Sequence, residues 1–577
     1  MHIPGRFATD TSSPRVSWAH GGLPHSRSPR LRAPPGRLAT RSPYHRRVRA
    51  SSYKTSTLDD RYDAIIVGSG LGGLTSALLL AQTGKKVLVL ERHWVLGGFT
   101  HVFKRKDWEW DVGVHYIGEV HREHSVLRRL FDHLTDGELT WEDMGEVYDR
   151  IWFGDTEYPL RSGVKNFKAD MCERFPAEKE AIARYLDLVF EVSKASRSFY
   201  AEKALGDVTA FLGGRLLRRK YMSFARRTTY DVLRELTEDE RLIGVLTGQY
   251  GDYGLPPRQS SFAMHATLVK HYFAGGAYPI GGSARIAETF VPRIEALGGQ
   301  LATRAEVSEI VVEHGKAAGV RMEDGRVIRA DLVISNAGVL NTFGRLLGDV
   351  GKARIDAEDK LSTLRPSLAH ASLYIGLDGT TEELKLPRAN HWVYPDDYDH
   401  DRTMARFEAD ENAPLPVAYI SFPSAKDPTH AERHPGKSTI EIVTLMPWSR
   451  VSKWADEPWK RRGDEYEALK ARWSDRMLEK LYEREPHLKG KIAFHELSTP
   501  LSTQHFTAYQ HGEIYGLSHD PNRFEQRFLR PQTPVEGLYL TGQDVCTCGV
   551  GGALVSGFLT ASAITRSNLL MDVLRAK

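Results

Sequence analysis

The chain has 577 residues, 41% of them hydrophobic and 26% charged, which is more than one hydrophobic core sustains and ordinary for a globular enzyme of two or more domains. Its formal charge of +4 comes from residues 1–57, which hold eleven Lys or Arg against the single acid Asp10; the remainder carries 67 bases against 73 acids, so nothing global favours nucleic acid as a partner. Three cysteines, Cys172, Cys546 and Cys548, are too few and too badly spaced for a disulfide framework or a zinc site, and no metal is expected.

Residues 1–57 are rich in Arg, Ser and Pro and show no apolar period, so they are expected to stay outside the fold. The same composition suits an organelle transit peptide of plastid type, a disordered tail or a gene start set too early. The next segment, Ala64-Ile-Ile-Val67, reads as a strand and Leu74–Thr83 as a helix, with Lys86–Glu91 as a second, parallel strand. The glycines at 68, 70, 72 and 73 interrupt this apolar run, which therefore reads as strand, turn and helix rather than a membrane span.

Between the first strand and the helix stands Gly68-x-Gly70-x-x-Gly73. Gly68 permits a tight turn, Gly70 lets backbone approach a pyrophosphate, and Gly73 lets helix and strand pack closely. The helix N-terminus then turns its free N–H groups and positive dipole end towards phosphate. Glu91 closes the second strand about twenty residues on, where an acid binds ribose hydroxyls and disfavours a 2′-phosphate. Arg92 follows it, and Gly97-Gly98 adds a glycine pair that NAD dehydrogenases do not need. That extension points to FAD.

Further along, Tyr148–Phe153 reads as a strand turning at Gly154-Asp155, and Asn166–Leu246 as mostly helical, with apolar residues at three and four spacing. His121 and His124 sit among charged residues and read as solvated surface. Within Phe211–Arg227, bulky apolar residues interleave with Arg and Lys, a pattern suited to peripheral contact with an anionic membrane surface. A helix ending near Gly299 precedes strands at Ala305–Glu313, Ala317–Glu323 and Ala330–Ser335, with a turn at Asp324-Gly325. The tail Gly537–Gly542, Asp544 and Gly549-Val-Gly-Gly552 returns to nucleotide-fold patterning.

The register of Gly68, Gly70, Gly73, Glu91, Gly97 and Gly98 resembles the glutathione-reductase-like flavoprotein class that includes amine oxidases and phytoene desaturases. The resemblance implies an α/β fold: a Rossmann-like FAD-binding domain with a mixed α+β substrate domain formed by insertions. It divides the chain into FAD-binding parts at 58–120, 275–345 and 526–577 and substrate parts at 121–274 and 346–525. It also implies that backbone at Val307 contacts the adenine, that Asp544, beside Gly542, binds the ribityl chain, and that the helix N-terminus at Gly551 lies under the flavin ring. A helix cap is the competing reading of Asp544.

Asp111-Val-Gly-Val-His115-Tyr-Ile-Gly118, with Tyr278-Pro-Ile-Gly-Gly282 and the glycine-rich tail, is similar to the all-trans-retinol 13,14-reductase group of the carotenoid isomerase and phytoene desaturase family. The likeness runs in patches over residues 61–577 and implies a retinol-like or carotenoid-like polyene substrate. Saturation of a double bond leads, with desaturation or cis-trans isomerisation next and a non-catalytic lipid or prenyl escort as the rival of another class. His115 and Tyr116 are the candidate proton donors. A second nucleotide fingerprint is absent, so electrons are expected from a quinone, a carrier protein, oxygen or a transiently bound NAD or NADP. The expected location is cytoplasmic and peripheral to a membrane, unless the N-terminal segment directs the chain to a plastid.

Overall fold

Ala64, Ile65 and Ile66 are all fully buried, although successive side chains of a strand point to opposite faces. Such a strand belongs in a parallel sheet covered on both sides. In the computed structural model, which describes residues 51–204 and 207–576, it spans Arg61–Val67 and pairs in parallel with Val87–Leu90, Ile65 opposite Leu88. The helix between them is Leu71–Gln82, with every residue buried. It starts three residues earlier than expected, taking the turn glycines into its first turn.

The eight-stranded sheet is assembled from three separated stretches, 51–90, 300–335 and 538–540. Val327–Ser335 lies beside Arg61–Val67 and carries the antiparallel strands Lys316–Met322 and Val307–Glu313 outward, while Leu538–Leu540 joins it in parallel. Residues 51–57 correct the expected boundary at 57. Ser51 and Ser52 pair in parallel with Ala302 and Thr303, and the Tyr53 hydroxyl reaches Asp324 Oδ2 at 3.1 Å. A sheet edge offers unpaired N–H and C=O groups that an extended segment satisfies through its backbone, whatever its side chains. Residues 1–50, which hold most of the segment read as a transit peptide or tail, lie outside the described residues.

A second sheet of seven strands joins Val147–Phe153 and Thr156–Arg161 to five strands between His370 and Ser498. Its only parallel pair sets Asn390–Tyr394 against Val147–Phe153. The helices Lys179–Lys203, Asp207–Ala225 and Phe262–Tyr272 pack on one another and share a single apolar core with this sheet. Two further cores cover the faces of the first sheet, Ile66 contributing to one and Ile65 to the other.

Candidate functional site

A cavity of about 600 Å³ is lined from both sheets. At the first sheet it begins at Gly68 and Gly70, continues past Glu91 and Arg92, and reaches Val307, Gly542, Asp544 and Gly551. Towards the second it is walled by Trp392 and Tyr419 of that sheet, with Tyr116, Tyr272 and Tyr515 beside them.

The dinucleotide end is built by backbone. Gly68 has φ +96°, a conformation L side chains rarely adopt. A Cβ on Gly70 would stand 2.7 Å from Asn336 Nδ2, and one on Gly98 would stand 3.0 Å from Gly70 Cα. Gly70 and Gly97 bridge in parallel, so the second glycine pair folds back on the first turn. Gly73 and Gly97 do not line the cavity; they pack behind it, Gly73 with its Cβ position 2.3 Å from Gly68 O.

Glu91, just past the strand Val87–Leu90, is buried at the cavity and fixed by three donors. Its Oε2 accepts from Ser69 N at 2.9 Å and Ser69 Oγ at 2.6 Å, and Oε1 accepts from His93 N at 2.8 Å. Ser69 Oγ in turn accepts from Gly97 N at 3.0 Å. Sequence reasoning had no way to see that this hydroxyl links the acid to the second glycine pair. Arg92 donates to His505 O at 3.0 Å and lies 3.5 Å from Glu306 Oε2, and its buried Nε has no partner.

The helix Leu71–Gln82 opens at Gly70 without a capping side chain, and the helix Gly549–Thr565 opens at Cys548 in the same way. Both N-termini meet the cavity, lined there by Gly70 to Gly72 and by Gly549 to Ala553. Asp544 does not cap the helix Gly549–Thr565, whose N-cap residue is Cys548. The Asp544 Oδ2 accepts at 2.8 Å from the N–H of Val339, the first residue of the short helix Val339–Asn341, and its Oδ1 accepts from Leu517 N at 3.0 Å, so it ties that helix start to the segment at Leu517 behind the cavity wall. Two uncapped helix N-termini, a buried acid at a strand end and glycines that a side chain would block fit a dinucleotide such as FAD. Gly68, Gly70, Glu91, Arg92, Gly98, Val307, Gly542, Asp544 and Gly551 would hold it.

The aromatic end carries a polar network that the sequence did not announce. His115 and Tyr116 both line the cavity. His115 Nδ1 lies 2.9 Å from Glu441 Oε2, but neither atom has an aligned hydrogen bond. Burial pushes the imidazole down to about 4 and the Glu441 carboxyl up to about 8, so desolvation drives both groups towards their neutral forms. Glu441 Oε1 accepts from Asp111 N at 2.8 Å. Asp111, buried and next to Glu441, is itself pushed up to about 7. Lys426 Nζ donates to His115 O at 2.9 Å, to Ser421 Oγ at 2.8 Å and to Asn390 Oδ1, and burial brings it down to about 7.

The surface expectations fare unevenly. His124 is exposed, but His121 is largely buried, its Nε2 3.0 Å from Ala274 O. Among the described residues no group of His, Cys, Asp and Glu could hold a metal ion. Cys546 and Cys548 are buried and free, and burial raises both thiols, Cys548 to about 12. In the stretch Phe211–Arg227, Leu216 and Leu217 are exposed, whereas Tyr221, Met222 and Phe224 are buried. Phe224 sits against Phe262 and cannot enter a bilayer, because an apolar face of a helix is taken first by the protein's own core. Lys220, Arg226 and Arg227 pair with Glu191, Glu525 and Glu235. The side chain of Phe211 lies outside the described residues. Among those residues no helix is long and apolar enough to cross a membrane.

Residues 71–342 match the family described as flavin containing amine oxidoreductase. The all-trans-retinol 13,14-reductase of Danio rerio is 38% identical over 549 residues, 91% of this chain and 90% of that protein. A protein of the same organism named inactive all-trans-retinol 13,14-reductase is 32% identical, over 94% of this chain and 92% of its own. A chloroplastic prolycopene isomerase of Arabidopsis thaliana is 26% identical over 87% of this chain and 82% of its own. Among solved structures, putrescine oxidase bound to putrescine superposes with a TM-score of 0.58 at 16% identity, covering 88% of this chain and 99% of that one, which shows a shared fold.

Proposed function

The chain belongs to the all-trans-retinol 13,14-reductase family, and from that premise we propose that it is an FAD-dependent oxidoreductase that saturates a carbon–carbon double bond of a retinol-like or carotenoid-like polyene. The observation that carries this reading is the cavity itself, continuous from the glycine cradle and Glu91 to a chamber walled by Tyr116, Tyr272, Trp392, Tyr419 and Tyr515. Aromatic walls suit a flat conjugated chain through stacking and apolar burial. Bound FAD supplies the hydride chemistry. The protein's own residues grip the cofactor, exclude water from the chamber and provide the proton that alkene reduction requires.

Cis-trans isomerisation or desaturation is the second reading, favoured by the likeness to the prolycopene isomerase. A non-catalytic escort is disfavoured, because it needs no intact cradle around Gly70, Glu91 and Asp544. The relative named inactive makes a direct assay necessary. Purified protein is expected to show flavin absorbance and, once reduced without air, to be reoxidised by all-trans-retinol or a carotenoid with loss of conjugation in the product. Bound flavin that stays reduced would favour the second reading, and colourless protein would sink both.

Electrons reach the cofactor from a donor that visits transiently, and NADH and NADPH are the first to test. A polyene is stored in bilayers, so we further propose peripheral membrane attachment on the cytoplasmic side. Its contact is narrowed to Leu216, Leu217 and the neighbouring Arg219, with Phe190, which is 44% exposed on the adjacent helix.

A further inference from the structure

At the aromatic wall two acids share one phenol. The Tyr116 hydroxyl lies 2.8 Å from Asp149 Oδ2 and 3.0 Å from Asp252 Oδ2. A phenol has one hydrogen and donates to only one of them. If both acids were ionised, the second contact would set two hydrogen-free oxygens against each other in a place with little water. One of the acids therefore brings its own proton.

The surroundings decide which. Asp149 is fully buried, and its carboxylate accepts from Asn390 Nδ2 at 2.8 Å and Gln249 Nε2 at 2.7 Å besides Tyr116. Three N–H or O–H donors stabilise a charge. Asp252 has none of these amide donors: among the described residues, Tyr116 is its side chain's one hydrogen-bond partner. Burial and the neighbouring Asp149 charge both raise its carboxyl well above the usual carboxylate range, while Asp149 is raised to about 6. Two carboxyls pushed apart in this way take separate roles in a reaction.

Asp252 also faces the cavity, lining it beside Tyr116 and Gly251, whereas Asp149 does not. The Asp252 carbonyl accepts from Cys548 Sγ at 3.5 Å, the N-cap residue of the helix Gly549–Thr565. Tyr272, stacked on Tyr116 at 4.3 Å, and Tyr515 complete the wall.

We propose that Asp252 is the proton donor for saturation of the polyene, with Tyr116 and Asp149 positioning it. This rests on the saturase reading above. One carbon of the double bond receives a hydride, supplied by reduced FAD. The π pair forms a C–H bond to the Asp252 proton at the adjacent carbon, and the Asp252 O–H bond breaks to leave a carboxylate. The Tyr116 hydrogen then turns from Asp149, which keeps Asn390 and Gln249, to the new charge on Asp252. Solvent restores the Asp252 proton when product leaves.

The test uses the FAD-loaded protein at pH 7. The infrared difference spectrum of wild type minus Asp252→Asn is expected to contain the carbonyl stretch of a protonated carboxyl group. A difference showing carboxylate bands instead overturns the proposal. In stopped-flow reoxidation by all-trans-retinol, D252N is expected to keep its flavin and lose about 100-fold or more in rate, with part of the rate restored in Asp252→Glu. Reoxidation of D252N at the wild-type rate also overturns it. Should D252N fail to bind FAD, D252E and an infrared pH titration of wild type carry the same decision, a carboxylate at pH 7 being the refuting result. The infrared measurement needs no turnover, so wild type that shows the acid band but ignores every polyene counts against the substrate reading and not against the protonated acid.

Discussion

A methyl group on Gly70 would stand 2.7 Å from Asn336 Nδ2 at the mouth of the cradle, so Gly70→Ala is expected to yield largely colourless protein, as the ratio of flavin to protein absorbance would show. Asp544→Ala acts differently. It strands the N–H groups of Val339 and Leu517, at a cost of about 1–3 kcal/mol for each buried donor left unsatisfied. Both flavin content and chemical stability are expected to fall. Glu441 gives a pH signature. Its carboxyl is raised to about 8 in the folded protein from an unfolded value near 4.5, so the folded state holds a proton that the unfolded state has released between those limits. Its contribution to stability is fully present below about 4.5 and is lost as pH rises towards 8, at up to about 1.4 kcal/mol per pH unit. Glu441→Gln removes that slope, and denaturant titrations at pH 5 and pH 8 are expected to differ less in the variant than in wild type.

The helix Asp207–Ala225 shows how an element sorts side chains that a linear pattern leaves mixed. Leu216, 76% exposed, and Phe224, 9% exposed, fall on different faces. Leu216→Asp with Leu217→Asp is expected to leave stability near that of wild type and to weaken flotation with anionic liposomes. Phe224→Asp is expected to cost several kcal/mol by placing a charge against Phe262. Undiminished flotation of the double Leu variant would remove this helix as the membrane contact. At the helix Gly549–Thr565 the absence of a capping side chain is informative in the same way, because the open N-terminus meets the cavity rather than solvent.

At the scale of the molecule the cradle joins three stretches of chain, contributed by Gly68 to Gly98, by Val307 with Gly338, and by Gly542 to Gly551. A ligand that binds only this assembled form stabilises it, by about 2.7 kcal/mol at a hundredfold excess over its Kd. Stripping FAD is expected to lower Tm, and adding it back to restore Tm in proportion to the logarithm of its concentration. The cradle was legible from residues alone because each glycine answers a local backbone requirement within one strand–turn–helix unit. The edge strand Ser51–Ser52 was not, since it is recruited through backbone groups by a neighbour some 250 residues away and carries no apolar pattern of its own.

By itself the sequence determined the dinucleotide fold and the glycine cradle with its acid, because turn geometry, helix dipoles and apolar periodicity are properties of contiguous residues. Only the tertiary structure decided which side chains face the substrate and in which protonation state. Asp149, Asp252, Asn390, Lys426 and Glu441 are ordinary polar residues along the chain. Their chemistry comes from burial beside one another across separations such as the 136 residues between Tyr116 and Asp252, and the desolvation that sets their charges exists only once the two sheets have closed around the cavity.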